Sequence, residues 1–167
     1  DPDPHVCARK AADKVRRVAA RLVPTAREIE AEYGIPIVNT RLSVTPVSWF
    51  GAACQPLDLL PVARALDQVA EELGLDFLGG FSALVEKETT VAARHLLDII
   101  PDALAETRRL CASVNVGSTR AGLNMDAIGR MGRIIAECAA RSADRHGADC
   151  ARLVVFCNAV SDNPFMA

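Results

Sequence analysis

The segment Gly117-Ser118-Thr119-Arg120-Ala121-Gly122 holds the densest set of groups able to grip an anion: two hydroxyls, a guanidinium and glycines that expose backbone N–H groups. It follows an apolar run that reads as a strand and precedes a helical pattern, the context in which N–H groups receive phosphate or carboxylate. The pattern is neither GxGxxG nor a Walker sequence, so it implies no dinucleotide or NTP. A tight turn whose hydroxyls satisfy their own backbone is the competing reading. Just downstream, Asn124-Met125-Asp126 offers an amide and a carboxylate, which capping and the helix dipole explain equally well. Asn39, Ser82, Asn115 and Asn158 stand in or beside the predicted strands and could orient the rest of a small ligand. Asp126 and Asp162 are the candidates for proton transfer. Cys157 is a candidate nucleophilic or radical thiol, although a thiol with no base near it in sequence is usually structural.

Other chemistry-bearing residues read as ordinary surface or core. Glu86-Lys87-Glu88 and the stripe Lys10, Lys14, Arg17, Arg21 are solvated charge runs. The six cysteines form no CxxC pair, and His5, His95 and His146 stand far apart, so no metal site is expected. The chain is long and apolar enough to fold without staples, which makes the cysteines reduced, mostly buried thiols of a cytoplasmic protein.

The elements that must position these groups alternate. Apolar residues at Val15, Val18, Leu22, Ala26, Ile29 and Tyr33 mark one helix face, with a kink or break at Pro24 and a capping-box pattern at Thr25-x-x-Glu28. Gly34 and Pro36 stop it, and Val38 to Thr45 alternates as a strand with one polar face. Leu59 to Leu73 is a second helix closed by Gly74, and Leu75 to Val85 a strand broken by Gly79-Gly80. Thr90 caps a helix to Ile100, with Pro101 opening a further piece, and Cys111 to Val116 is a third strand. Asn124 caps a helix carrying Ile128, Met131, Ile135 and Cys138 on one face. Ala151 to Val160 is a fourth strand, whose run Leu153-Val154-Val155-Phe156 suggests burial on both faces.

Four helix–strand alternations predict a single α/β domain over 1–167 with a mostly parallel sheet. In such folds ligands gather beyond the carboxyl ends of the strands, where the polar residues above converge. A composition of 50% hydrophobic and 24% charged residues, with net charge −2, excludes a disordered chain and gives no basic field for nucleic acid. No apolar stretch approaches the roughly 20 residues of a membrane span. The ends, Asp1-Pro2-Asp3-Pro4 without a Met and Asn163-Pro164-Phe165-Met166-Ala167 just after a strand, read as those of a piece of a longer chain.

Several segments in order carry a resemblance: 33–39 (YGIPIVN), 42–46 (LSVTP), 76–85 (DFLGGFSALV), 113–126 (SVNVGSTRAGLNMD), 153–159 (LVVFCNA) and 162–167 (DNPFMA). Together they resemble an uncharacterised prokaryotic group labelled "PFL family protein". That resemblance implies a pyruvate formate-lyase-like barrel of the glycyl-radical-enzyme type, a homodimer, and a longer parent chain of which this is the N-terminal part. It does not carry the radical mechanism over, because no radical-bearing glycine loop follows and Cys157 does not align with a radical cysteine. Where that group often reads Lys-Gly, this chain has Lys87-Glu88. The expected function is an enzyme that binds a small anionic metabolite at the strand-end rim. A non-catalytic sensor of the same metabolite, or a structural subunit completed by another chain, are the alternatives. Neither a cofactor nor a reaction class is specified.

Overall fold

Asp3 starts the first helix: its carboxylate accepts the N–H groups of His5 and Val6, and Pro4 takes the first helical position, where no bond is lost. The computed structural model describes residues 1–159. Helix α1 (Pro4–Ala19) buries Cys7, Ala8, Ala12, Val15 and Ala19, a stripe of mostly small side chains. A break at Ala20–Arg21 separates it from α2 (Leu22–Tyr33), whose C-cap is Gly34 at φ 65°. Two helices are therefore present, but Pro24 does not divide them. It occupies the first turn of α2, where a missing N–H costs nothing, and Thr25 is helical rather than a cap.

Strand β1 spans only Arg41–Ser43. The alternation from Val38 is not used, because the Thr40 N–H is taken by the Asp76 carboxylate at 2.7 Å, and Val38 is 86% exposed. The short α3 (Val47–Phe50) leads to α4 (Leu60–Leu73), which packs on α1 and ends at Gly74 as read from the sequence. Strand β2 (Phe77–Leu84) is continuous through Gly79-Gly80, which forms a bulge instead of a break: its register on the next strand shifts between Leu78 and Phe81. Gly80, at φ 104°, is required there, since a Cβ would lie 2.4 Å from the Val44 carbonyl oxygen.

Helix α5 (Val91–Glu106), capped by Thr90, runs unbroken past Pro101. Strand β3 (Leu110–Ser118) follows, then a two-residue strand β4 (Gly122–Leu123) antiparallel to the end of β3. Helix α6 (Met125–Arg141) is capped by Asn124, and β5 (Leu153–Cys157) closes the described sheet. Val154 and Val155 in β5 are 38% and 36% exposed, so this run is an edge strand and not one buried on both faces.

The parallel strands lie in chain order, β1-β2-β3-β5. Each crossover steps in the same direction, and crossovers of one hand then place the helices on one face. The core agrees. Leu78, Phe81 and Ala83 of β2, with Leu110, Ala112, Val114 and Val116 of β3, join the helical apolar cluster. The protein is thus α/β with a mostly parallel sheet, and the intervening side chains of its strands point to the opposite face.

Candidate functional site

That opposite face carries Phe77, Leu84, Val154 and Phe156 around a middle of small and polar side chains. Ser82 of β2 lies beside Ser113 of β3, with Asn115, Gly117, Ser43 and Gly79 on the same side. Ser82 is 0% exposed, yet its hydroxyl has no hydrogen-bond partner among the described residues, and neither does the buried Ser43 Oγ. A buried hydroxyl without a partner carries a desolvation cost that nothing in the described fold offsets. Ser48 Oγ in α3 and His95 Nε2 in α5 are also buried and unpartnered. None of the described strand residues is an Asp or Glu, and Arg41 is their one cation.

At the carboxyl ends of the strands the structure gathers Ser82, Asn115, Gly117, Ser118, Thr119, Arg120 and Asn158. Several of these groups are already spent. Asn115, with its Nδ2 donating, bonds the carbonyls of Gly117 and Phe156 at 3.1 Å and so fills the bulge between β3 and β5, leaving Oδ1 for anything else. The segment from Gly117 is a hairpin turn into β4, where the sequence suggested a strand-to-helix cradle. Within it the Thr119 N–H and hydroxyl both donate to Asn158 Oδ1, at 3.0 and 2.9 Å, and the Ala121 N–H donates to Ser118 Oγ. The turn's hydroxyls and amides largely satisfy one another. Arg120 projects from it exposed. Gly117 lets the turn pack closely: a Cβ there would meet the Leu123 side chain at 2.7 Å and Cys157 Sγ at 3.0 Å, so exposed Leu123 would have to shift.

The remaining sequence candidates scatter. Asn39 precedes β1, at the other end of the strands, and its Oδ1 accepts from Arg41 Nε at 2.7 Å; Arg41 in turn lies over the Phe77 ring. Asn124 is structural twice over: Oδ1 caps α6 through the Ala127 N–H, and Nδ2 donates to the Val85 carbonyl beyond β2. Asp126 faces a cleft between α5 and α6 instead of the sheet. Cys157 is exposed at the end of β5, and Asp162 lies outside the described residues.

Two further cavities flank the sheet. One of ≈ 420 Å³ sits at the amino half of the helix-free face, lined by Arg41, Ser43, Phe77, Cys111 and Ser113 among others. Burial pushes the Cys111 thiol up, so it is not a ready nucleophile. The other, ≈ 550 Å³, is a mainly apolar groove between α1 and β1, edged by Lys10 and Lys14. The described cysteines are free, with Cys7, Cys54 and Cys138 buried. Among the described residues no three His, Cys, Asp or Glu side chains come together as metal ligands, and no helix is long and apolar enough to cross a membrane.

Compared with known proteins, residues 1–167 match a family described as "Uncharacterised ACR (DUF711)". The chain is similar to a UPF0210 protein of Desulforamulus reducens, 55% identical over 155 residues, covering 93% of this chain and 34% of that protein. It is 52% identical over 167 residues to the UPF0210 protein of Pelotomaculum thermopropionicum, covering 100% and 37%. A UPF0210 protein of Methanocorpusculum labreanum is 54% identical over 157 residues, covering 93% and 35%. The chain thus spans about a third of the length of these curated relatives. The match corrects the family suggested by the sequence segments: they belong to this uncharacterised group, and no pyruvate formate-lyase kinship accompanies it.

Proposed function

The chain belongs to the uncharacterised DUF711 family, a kinship that brings no activity with it, and from there we propose that its sheet forms part of a binding site for a small anionic metabolite. The ligand lies over the helix-free face toward the carboxyl ends of the strands. The observation that carries this reading is Ser82, wholly buried, its hydroxyl without a partner among the described residues, in the small and polar middle of the sheet face. A ligand oxygen would supply the missing partner once the side chains that now shield Ser82, 0% exposed, move aside. The anionic character follows from charge, since the described strands hold no carboxylate while Arg120 stands at the rim. The same lack of an acid or base favours binding, with turnover left to groups beyond these strands. The sheet is read as one arc of a closed barrel, because its strands lie in chain order with the core on one face.

The test is Ser82→Ala in the full-length protein, with a panel of carboxylates and phosphate esters screened by thermal shift. Removing a hydroxyl that has no partner among the described residues leaves unliganded stability within about 0.5 kcal/mol. Affinity for the panel's best anion falls about tenfold, the worth of one hydrogen bond to a charged group. A variant that loses more than about 1 kcal/mol of stability and binds as before shows that the hydroxyl is structural. A panel in which no anion exceeds the matched-salt control overturns the reading as well.

A further inference from the structure

The cleft between α5 and α6 has a volume of ≈ 370 Å³ and a different chemistry from the sheet face. Arg94 on α5 and Arg130 and Arg133 on α6 line it together with Thr89, Asn124 and Asp126. Three arginines line one cleft because the two helices lie side by side, and Arg130 and Arg133 stand three apart on one face of α6. Their roles differ. Arg130 is anchored, donating to the Asp98 carboxylate and, at 3.4 Å, to the Arg94 carbonyl. Arg94 and Arg133 have no side-chain partner among the described residues, and both are exposed. Like charges brought this close repel one another, and the two carboxylates present, Asp98 and Asp126, offset only part of three positive charges.

We propose that this cleft binds a phosphate group, with Arg94 and Arg133 as its forked donors and Arg130 as the fixed wall between them. Guanidiniums suit a phosphate because their paired N–H groups match its oxygens two at a time. Asp126, which lines the same cleft without bonding these arginines, repels an anion bound there and so lowers its affinity. Asn124 joins the cleft to the sheet, since its Nδ2 holds the Val85 carbonyl while the Val85 N–H donates to the Asn115 carbonyl. The inference does not rest on the metabolite reading above, as the two share no binding residue.

The experiment is calorimetric titration of the full-length protein with inorganic phosphate at constant ionic strength. Saturable binding is expected, weakened about tenfold or more in the Arg94→Gln, Arg133→Gln double variant. Asp126→Asn should bind several-fold more tightly, an effect that a merely structural carboxylate would not produce. An Arg9→Gln, Arg17→Gln double variant at exposed positions of α1 serves as the equal-charge control, expected to bind as the wild type. Competition by glycerol 3-phosphate at equal or higher affinity shows that the site takes a phosphoryl group on a metabolite, and its failure to compete points to free phosphate. No response beyond the chloride control, or equal binding by the double variant, overturns the proposal.

Discussion

Burial holds two thiols in their neutral form. Cys54 is pushed up from 9.0 to about 11 by burial first and by neighbouring Cys7 second, and Cys138 likewise by burial and then by Cys150. An acid whose folded value is raised keeps its proton better folded than unfolded. Its contribution to stability is therefore complete below pH 9.0 and is lost as pH climbs toward about 11. Urea titrations across that window should show stability falling more steeply in the wild type than in a Cys54→Ala, Cys138→Ala variant; equal slopes would refute the assignment. In the same native protein, exposed Cys157 should be alkylated by iodoacetamide well before either buried thiol. Residue types at the strand ends were legible from sequence because polar groups clustered there. Their availability was not, since which oxygen accepts from which N–H depends on tertiary neighbours. Asn158 taking both donors of Thr119 is a contact across 39 positions that no local pattern announces. Ser82 was legible as a candidate, but its lack of a partner is visible only once the fold is built.

One element-level device had no sequence signature at all. Arg152, in the short 3-10 turn Ala148–Arg152 before β5, is buried and donates to the Leu104 carbonyl at 2.5 Å, the Leu110 carbonyl at 3.2 Å and Thr107 Oγ1 at 3.1 Å. It also bonds Asp149 Oδ1 at 2.8 Å, a carboxylate 1% exposed that Arg145 approaches from the other side. One side chain thereby closes the end of α5, whose last carbonyls lack helical partners, and fixes the start of β5. Arg152→Met should cost about 3 kcal/mol, because the buried Asp149 carboxylate keeps only Arg145 among the described residues and the Leu104 and Leu110 carbonyls lose their donor. Adding Asp149→Leu should recover about 1 kcal/mol of that loss by removing a buried carboxylate left with one of its two cations. Chemical denaturation of the two variants decides the matter, and a double variant no more stable than the single one would sink the explanation. Elements with a strong local signal were read well: the caps at Thr90 and Asn124 and the left-handed glycines at Gly34 and Gly74 stand where the spacing placed them. Misreadings came where a distant partner overrode local preference. Asp76 diverted Thr40 from the strand, and helical packing carried α5 through Pro101, which is buried. Strand β4, at two residues, is too short for any periodicity to reveal.

The largest unanswered demand belongs to the sheet as a whole. A sheet wound in one direction ends in two edges, here β1 and β5, and each pairs on one side among the described residues. The two edges differ in the devices that keep strands from pairing with other chains: β1 is three residues long and carries Arg41, although it runs beside the apolar groove against α1, whereas β5 is uncharged with Val154 and Val155 partly exposed. The groove adds Val18, and exposed Tyr33, Ile35 and Val38 lead into the same edge. Unpaired backbone next to apolar surface favours association, so the 167-residue chain on its own should self-associate. Sedimentation velocity over a tenfold range of concentration should show a rising weight-average coefficient. Val154→Lys with Val155→Lys, which places charge on the β5 edge without touching the helical core, should lower that rise. A concentration-independent monomer would mean that both edges are already covered, and the arc reading of the sheet would lose its support. Self-association that persists unchanged in the Lys variant would instead place the contact at β1 and its groove. A bulky charge at Val18, on the α1 wall of that groove, is then the variant that should abolish it.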